Sequence, residues 1–181
     1  MVVKETKLKG SYILQPEIFE DKRGYFIESF NKKIFEEQTG LDIDFLQDNE
    51  SLSSKGVLRG LHYQRGAHAQ AKLVRVIRGK VLDVVVDLRP QSSTFGEHFS
   101  VILSGENKTQ FFVPRGFAHG FLVLEDHTIF SYKCDNLYNK ASEGGIIYND
   151  PELNIDWKFP TEDLIISDKD LILPNLKDAQ L

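Results

Sequence analysis

Two short stretches carry residue types whose spacing suits chemistry. Gly56-Val57-Leu58-Arg59-Gly60-Leu61-His62-Tyr63-Gln64 sets an arginine and a histidine among glycines. Glycine lets a backbone pass close to a ligand. A guanidinium offers a planar donor fork that suits phosphate or carboxylate, and an imidazole moves protons near neutral pH. Pro114-Arg115-Gly116-Phe117-Ala118-His119-Gly120-Phe121 repeats the combination. The plain alternative for either stretch is a turn-rich strand with polar groups at the surface. Tyr132 and Tyr138 are further candidates, because a phenol can donate a proton or hold an oxyanion. The chain has 6 tyrosines, so packing is the ordinary role of any one of them. Ser167-Asp168-Lys169-Asp170 reads in two ways. Ser-x-x-Asp is a capping pattern at a helix start, and Asp170 could instead orient a histidine, since a carboxylate against an imidazole fixes its tautomer. The residues leave both readings open.

The elements that must position these groups are short strands. Val81 to Leu88 is rich in β-branched residues between Gly79 and Pro90, with Asp83 and Asp87 on one face. Lys72 to Ile77 reads as its neighbour, and Gly79-Lys80 is expected to turn the chain between them into a hairpin. Further strands are expected at Phe99 to Leu103, Gln110 to Val113, Gly120 to Leu124, Thr128 to Lys133 and Gly145 to Tyr148. Such spacing suggests a sandwich or barrel. A parallel α/β fold would need long helices between strands, and the pattern contains none. Helices are expected only at the flanks: Asn31 to Thr39, capped by Asn31 and stopped by Gly40, and one or two short helices between Pro160 and Pro174.

The length of 181 residues suits one domain. It divides into an N-terminal arm (about 1–20), a core (about 21–150) and a C-terminal tail (about 151–181). Val2 to Tyr12 is expected to complete a sheet of a partner subunit and hide its edge. The 41% hydrophobic and 27% charged content is that of an ordinary globular protein. A net charge of -5 weighs against nucleic-acid binding while leaving room for a locally basic pocket. The single cysteine, Cys134, allows no intrachain disulfide and is expected to pack within a strand. The N-terminal residues lack a signal-peptide pattern and no apolar run reaches membrane-spanning length. The expected compartment is the cytoplasm, with no membrane partner.

The turn Pro114-Arg115-Gly116-Phe117-Ala118-His119 resembles the second motif of the cupin superfamily, in which the histidine often binds metal. The first cupin motif normally supplies two histidines two apart. Here Tyr63 and Gln64 follow His62, and the next histidine is His68. No three-histidine set is evident, so no metal is expected; His68, His98 and His127 read as solvent-facing or locally bonded.

Taken in order, a longer set of stretches is similar to one family, the dTDP-4-dehydrorhamnose 3,5-epimerases. The set runs through Asp21 to Phe30, Phe45 to Asn49, Leu58 to His62, Lys72 to Val76, Asp83 to Arg89 and Phe117 to Phe121. It ends with Asn149-Asp150-Pro151, Ile155-Asp156-Trp157 and Leu164 to Asp170. The resemblance implies an all-β, cupin-like jelly-roll β-barrel with short flanking helices, a homodimer, and no cofactor. The implied substrate is dTDP-4-dehydro-6-deoxy-glucose, inverted at carbons 3 and 5 through enolates for dTDP-rhamnose and polysaccharide synthesis. A relative acting at one of the two carbons is the alternative. Carried over by residue, His62 resembles the base, Asp170 its partner, Tyr132 the proton donor and Lys72 the group that stabilises the enolate. Arg23, Phe26, Glu28, Gln47, Asn49, Arg59, His119, Glu143 and Lys169 resemble residues lining the nucleotide-sugar site. Tyr138 resembles the aromatic on its thymine side. Tyr148 stands where a tryptophan is common, and Lys158-Phe159 separates Trp157 from Pro160.

Overall fold

The computed structural model describes residues 1–181. Its strands are β1 (Val2–Glu5), β2 (Tyr12–Gln15), β3 (Ile18–Asp21), β4 (Gly24–Ile27), β5 (Gln47–Ser53), β6 (Val57–Gln64) and β7 (Lys72–Arg78). They continue with β8 (Lys80–Asp87), β9 (His98–Ser104), β10 (Gln110–Val113), β11 (Phe117–Val123), β12 (Thr128–Cys134), β13 (Glu143–Gly145) and β14 (Ile165–Ile166). Two α-helices join them, α1 (Lys32–Thr39) and α2 (Asp168–Leu171). As expected, Asn31 caps α1 by accepting from the Ile34 N–H, and Gly40 ends it in the left-handed conformation. No helix is long and apolar enough to cross a membrane.

The strands form two six-stranded sheets and a separate hairpin. The first sheet runs β1-β2-β10-β7-β12-β5; the second runs β13-β6-β11-β8-β9, with β14 parallel beside β6. The expected closed jelly-roll β-barrel is not what forms. The first sheet ends at β1 and β5, the second at β13 and β9, and no ladder joins them. The protein is a mixed fold of open, mainly antiparallel sheets with two short helices. The reason lies in the connections. From β5 to β12 the chain changes sheet at every link except the β8–β9 hairpin. Successive strands therefore lie across the core from one another instead of extending one hydrogen-bonded ladder. The same fact corrects the expected β7–β8 hairpin: β7 pairs with β10 and β12, β8 with β11 and β9, and Gly79 carries the chain between sheets. β1 pairs with β2 of its own chain and forms one edge of the first sheet.

Alternation sorts the side chains into layers. Val74, Val76, Phe111 and Phe130 of the first sheet meet Val81, Val85, Phe117 and Phe121 of the second in the core between them. The opposite face of the second sheet is covered as well. Leu82, Val84 and Val86 of β8 pack with Leu153, Trp157 and Leu176 of the C-terminal tail. Burial on both faces explains why β8 reads as a nearly continuous apolar run. Helix α1 covers the outer face of the first sheet through Phe35, which meets Leu73 and Phe112. The β3–β4 hairpin lies on neither sheet and leaves Phe19, Tyr25 and Phe26 more than half exposed.

One irregularity matters for the site. Along β6, Leu58, Leu61 and Tyr63 point into the tail-side core. A regular strand cannot place residues three apart on one face. The register of β6 against β11 slips between the His119–His62 and Phe121–Arg59 pairs, and such a bulge resets the alternation. Gly60 sits at the slip with φ +111, and a Cβ there would lie 2.7 Å from Gly120 Cα and 2.7 Å from the His119 carbonyl oxygen. Gly60→Ala is therefore expected to cost roughly 2–5 kcal/mol from backbone strain plus overpacking. Gly66→Ala, at φ +55 with nothing within 4 Å, is expected to cost only about 1 kcal/mol. Urea unfolding of both variants checks this, and equal losses would contradict it.

Candidate active site

The bulge in β6 puts Arg59 and His62 on one wall of a cleft of about 660 Å³ at one edge of the inter-sheet core. His119, opposite His62 on β11, lines the same cleft. The first sheet supplies the facing wall with Asn49, Lys72 and Tyr132. Strand β13 adds Glu143, and the tail adds Lys169 and Asp170. A smaller adjoining pocket contains Gln47 and Tyr138 and shares His62, Lys72, Tyr132 and Glu143 with the cleft. The structure thus gathers eleven of the fourteen residues singled out in the sequence.

Arg23, Phe26 and Glu28 are the exceptions. Arg23 and Phe26 line a separate concavity on the β3–β4 hairpin, where Arg23 pairs with the neighbouring Asp21. Glu28 is exposed and accepts from Asn31 Nδ2 at 3.1 Å.

His62 Nε2 lies 2.8 Å from Asp170 Oδ1. The other carboxylate oxygen of Asp170 accepts from the Gly60 N–H at 3.2 Å. Burial alone would raise the Asp170 pKa. The bond to His62 and its charge, the Gly60 N–H and Lys169 outweigh it, and the net shift is downward. Asp170 is thus held as an acceptor, so the proton shared with His62 sits on Nε2 and the Nδ1 lone pair is left free. Ser167 meanwhile caps α2 by accepting from the Asp170 N–H. The two readings of this segment are both realised, by different atoms of it.

The facing wall is more deeply enclosed. Burial pushes the Tyr132 phenol above its ordinary range, which keeps the proton on it at neutral pH. The Lys72 ammonium sits 5.9 Å from the centroid of the Tyr132 ring. Burial drives its pKa down, against the opposing pull of Cys134, Asp83 and Glu143. Cys134 packs in β12, where burial pushes its thiol up to about 11. At the rim, Glu143 accepts from Tyr138 Oη at 2.9 Å and from Lys169 Nζ at 3.1 Å. These two bonds outweigh the effect of burial and lower the pKa of Glu143. Arg59 extends its guanidinium into the cleft and donates to Ser53 Oγ at 3.3 Å.

A second histidine–carboxylate pair was not recognised in the sequence. His119 Nε2 lies 2.9 Å from Asp83 Oδ2, and both side chains are buried. Asp83 reads as an ordinary member of the β8 alternation. The available signal was that its face is the same one that buries Val81 and Val85. No group of three or more His, Cys, Asp or Glu is arranged to hold a metal ion.

Chemically, the cleft offers a histidine with an oriented free nitrogen on one wall, and a protonated phenol beside the Lys72 amine on the other. The family model of dTDP-4-dehydrorhamnose 3,5-epimerase matches residues 5–178. The dTDP-4-dehydrorhamnose 3,5-epimerase of Methanothermobacter thermautotrophicus is 54% identical over 167 residues, covering 92% of this chain and 89% of the relative. The crystal structure of dTDP-4-dehydrorhamnose 3,5-epimerase from Elizabethkingia anophelis superposes with a TM-score of 0.95 at 59% identity, covering 98% of this chain and 97% of that one. The dTDP-6-deoxy-D-glucose-3,5-epimerase of Legionella pneumophila, solved with dTDP-4-keto-L-rhamnose, gives a TM-score of 0.94 at 48% identity, covering 98% and 93%. A model match over nearly the whole chain, with relatives this similar, means that the chain belongs to the dTDP-4-dehydrorhamnose 3,5-epimerase family.

Proposed function

We infer that this protein is an isomerase, a dTDP-4-dehydrorhamnose 3,5-epimerase that inverts carbons 3 and 5 of dTDP-4-dehydro-6-deoxy-glucose to give dTDP-4-dehydro-L-rhamnose. The observation that carries the mechanism is the placement of His62 and Tyr132 on opposite walls of one cleft, from different sheets. Both carbons flank the 4-ketone, so each C–H is acidified by it. His62 Nδ1 takes the proton, the C–H electron pair moves into the enolate, and the ketone oxygen gains negative charge. Lys72 answers that charge where it develops. Tyr132 returns a proton to the other face of the same carbon, which completes the inversion. His62 then releases its proton to solvent and Tyr132 regains one before the second carbon reacts.

The nucleotide end is assigned by charge and shape. Arg59 is the bidentate partner of the diphosphate, and Tyr138 with Gln47, Glu143 and Lys169 holds the thymidine end. His119 and Asn49 complete the wall around the sugar. Arg23, Phe26 and Glu28 lie outside this cleft. In a homodimer, the partner's β3–β4 hairpin and the residue that follows it supply them. The exposed Phe19, Tyr25 and Phe26 support that reading, because apolar side chains this open are normally covered by something. The expected solution state is a dimer, and sedimentation showing only monomer at micromolar concentration would reject the shared site.

Proton NMR of dTDP-4-dehydro-6-deoxy-glucose with the enzyme in deuterated water tests the function. Deuterium is expected at carbons 3 and 5 of the product, and incorporation at one carbon alone would mark a mono-epimerase. Arg59→Ala is expected to weaken dTDP binding by about 1.5–3 kcal/mol, the usual cost of losing a charged hydrogen bond; unchanged affinity by calorimetry would remove Arg59 from the diphosphate. His62→Ala is expected to abolish both exchange and product. Tyr132→Phe is expected to lose inversion further than exchange, because the proton can still return to the face it left. The ratio of deuterium exchange to inverted product at each carbon is the measurement, and a wild-type ratio in Tyr132→Phe would strip Tyr132 of the donor role.

A further inference from the structure

The β3–β4 hairpin carries Arg23 and Phe26, yet little in its own chain holds it. It joins neither sheet, and none of residues 18–27 belongs to an apolar cluster of the core. A lone two-stranded hairpin is marginally stable at best. A single hydrogen bond ties residues 18–27 to the rest of the chain: Lys108 Nζ donates to Tyr25 Oη at 2.9 Å. The same ammonium lies 4.2 Å from the centroid of the Tyr25 ring, a cation–π distance.

Lys108 stands in the turn between β9 and β10, and that turn also grips both roots of the hairpin. On the entering side, Gln15 Nε2 donates to the Asn107 carbonyl and Gln15 Oε1 accepts from Thr109 Oγ1, both at 2.9 Å. On the leaving side, the buried Gln110 donates through Nε2 to the Ser29 carbonyl. The turn is stiffened from within. Asn107 Oδ1 accepts from the Ser104 and Thr109 N–H groups, and Asn107 Nδ2 donates to the Ile102 carbonyl, each at 3.0 Å. Lys108 itself is left-handed, with φ 54, a conformation that costs a lysine more than a glycine.

The tether also decides which way the hairpin faces. Phe19 pairs opposite Phe26 and Glu20 opposite Tyr25, and successive residues of a strand point to opposite faces. Lys108 thus binds the Tyr25 face to its own chain and leaves Phe26 on the other face, 67% exposed. We propose that the β9–β10 turn is the mount that aims this hairpin, and that Lys108 is a positioning residue for the nucleotide end of the neighbouring subunit's site. This rests on the reading that the hairpin supplies Arg23 and Phe26 to a partner. Lys108 acts through Tyr25 and touches no substrate. Without the bond the hairpin spends less time in its site-ready pose, and apparent affinity falls by that fraction. His62, Lys72 and Tyr132 lie on other elements, so turnover of bound substrate is unaffected.

Lys108→Met keeps the stem and removes the donor. It is expected to raise KM and the Kd for dTDP roughly three- to tenfold, the usual range for one hydrogen bond, with kcat within about twofold of the wild type. Lys108→Arg still donates to the phenol and lies over its ring, and is expected to restore both constants. Hydrogen exchange of the amides of residues 18–27 reads the tether without substrate, and is expected to quicken in Lys108→Met. Unchanged exchange overturns the mount. A fall in kcat with KM unchanged overturns the positioning role. So does quicker exchange with unchanged dTDP affinity, where Arg23→Ala does weaken dTDP binding. An Arg23→Ala protein that binds dTDP normally defeats the shared-site reading, and the positioning role with it, while the exchange rates still judge the mount.

Discussion

Asp170 comes from the C-terminal tail and His62 from the middle of β6, and the 2.8 Å bond between them spans 108 positions of sequence. That bond requires the tail to be folded onto the second sheet. The tail is fastened at several points. Strand β14 pairs with β6, the Leu176 N–H donates to Asp150 Oδ2 at 2.6 Å, and Tyr63 Oη donates to the Gln180 carbonyl at 2.8 Å. Leu153, Trp157 and Leu176 bury themselves against Leu58, Leu61 and Val84. The hydrophobic burial is non-directional and provides most of the holding energy. The polar fastenings set the register, so that α2 delivers Asp170 to His62 and Gly60 rather than a residue nearby.

The bulge at Gly60 serves the same bond. Without it, Arg59 and His62 would face opposite sides of the sheet, and the groups proposed to bind phosphate and to move protons would be separated by a strand. With it, Gly60 turns its N–H to Asp170 Oδ2 while Leu61 stays in the core. The close passage of Gly60 against Gly120 leaves no space for a side chain on β6 at this point, whatever the chemistry of the cleft. Packing and site geometry are here one constraint.

How much of this was legible in the sequence differs by element. The strand character of β8 was plain, because burial on two faces leaves an almost unbroken β-branched run. Its partner was not, because alternation reports which face is buried and says nothing of which strand lies alongside. That is why β7 and β8, joined by a glycine turn, read as a hairpin and prove to be in different sheets. Barrel closure was misjudged for the same reason, being a property of ladders between strands and not of any strand's own pattern. Of the site, the glycine-framed Arg59, His62 and His119 stood out by residue type alone. Assigning Asp170 to His62 needed the family resemblance, since a Ser-x-x-Asp segment explains itself as a helix cap. Asp83 was hidden because one acid in a strand looks like a solvent-facing position until the opposite sheet is placed over it.

The two histidine–carboxylate pairs show how surroundings divide labour between identical parts. Both join Nε2 to an aspartate oxygen, at 2.8 and 2.9 Å. The His62 side chain is 26% exposed and that of His119 only 7%. Asp170 receives a second bond, from the Gly60 N–H, and its pKa is lowered despite burial. Asp83 lacks a second bond, and burial raises its pKa despite His119 and Lys72. The first pair thus has both carboxylate oxygens bonded and its ring open to the cleft, which suits the proton transfer proposed for it. The second is held against Phe130, whose ring stacks at 6.1 Å from that of His119. An imidazole so enclosed is poor at exchanging protons with water and well suited to keeping one shape. The open pair is the one proposed to do proton chemistry, and His119 of the closed pair lines the same cleft.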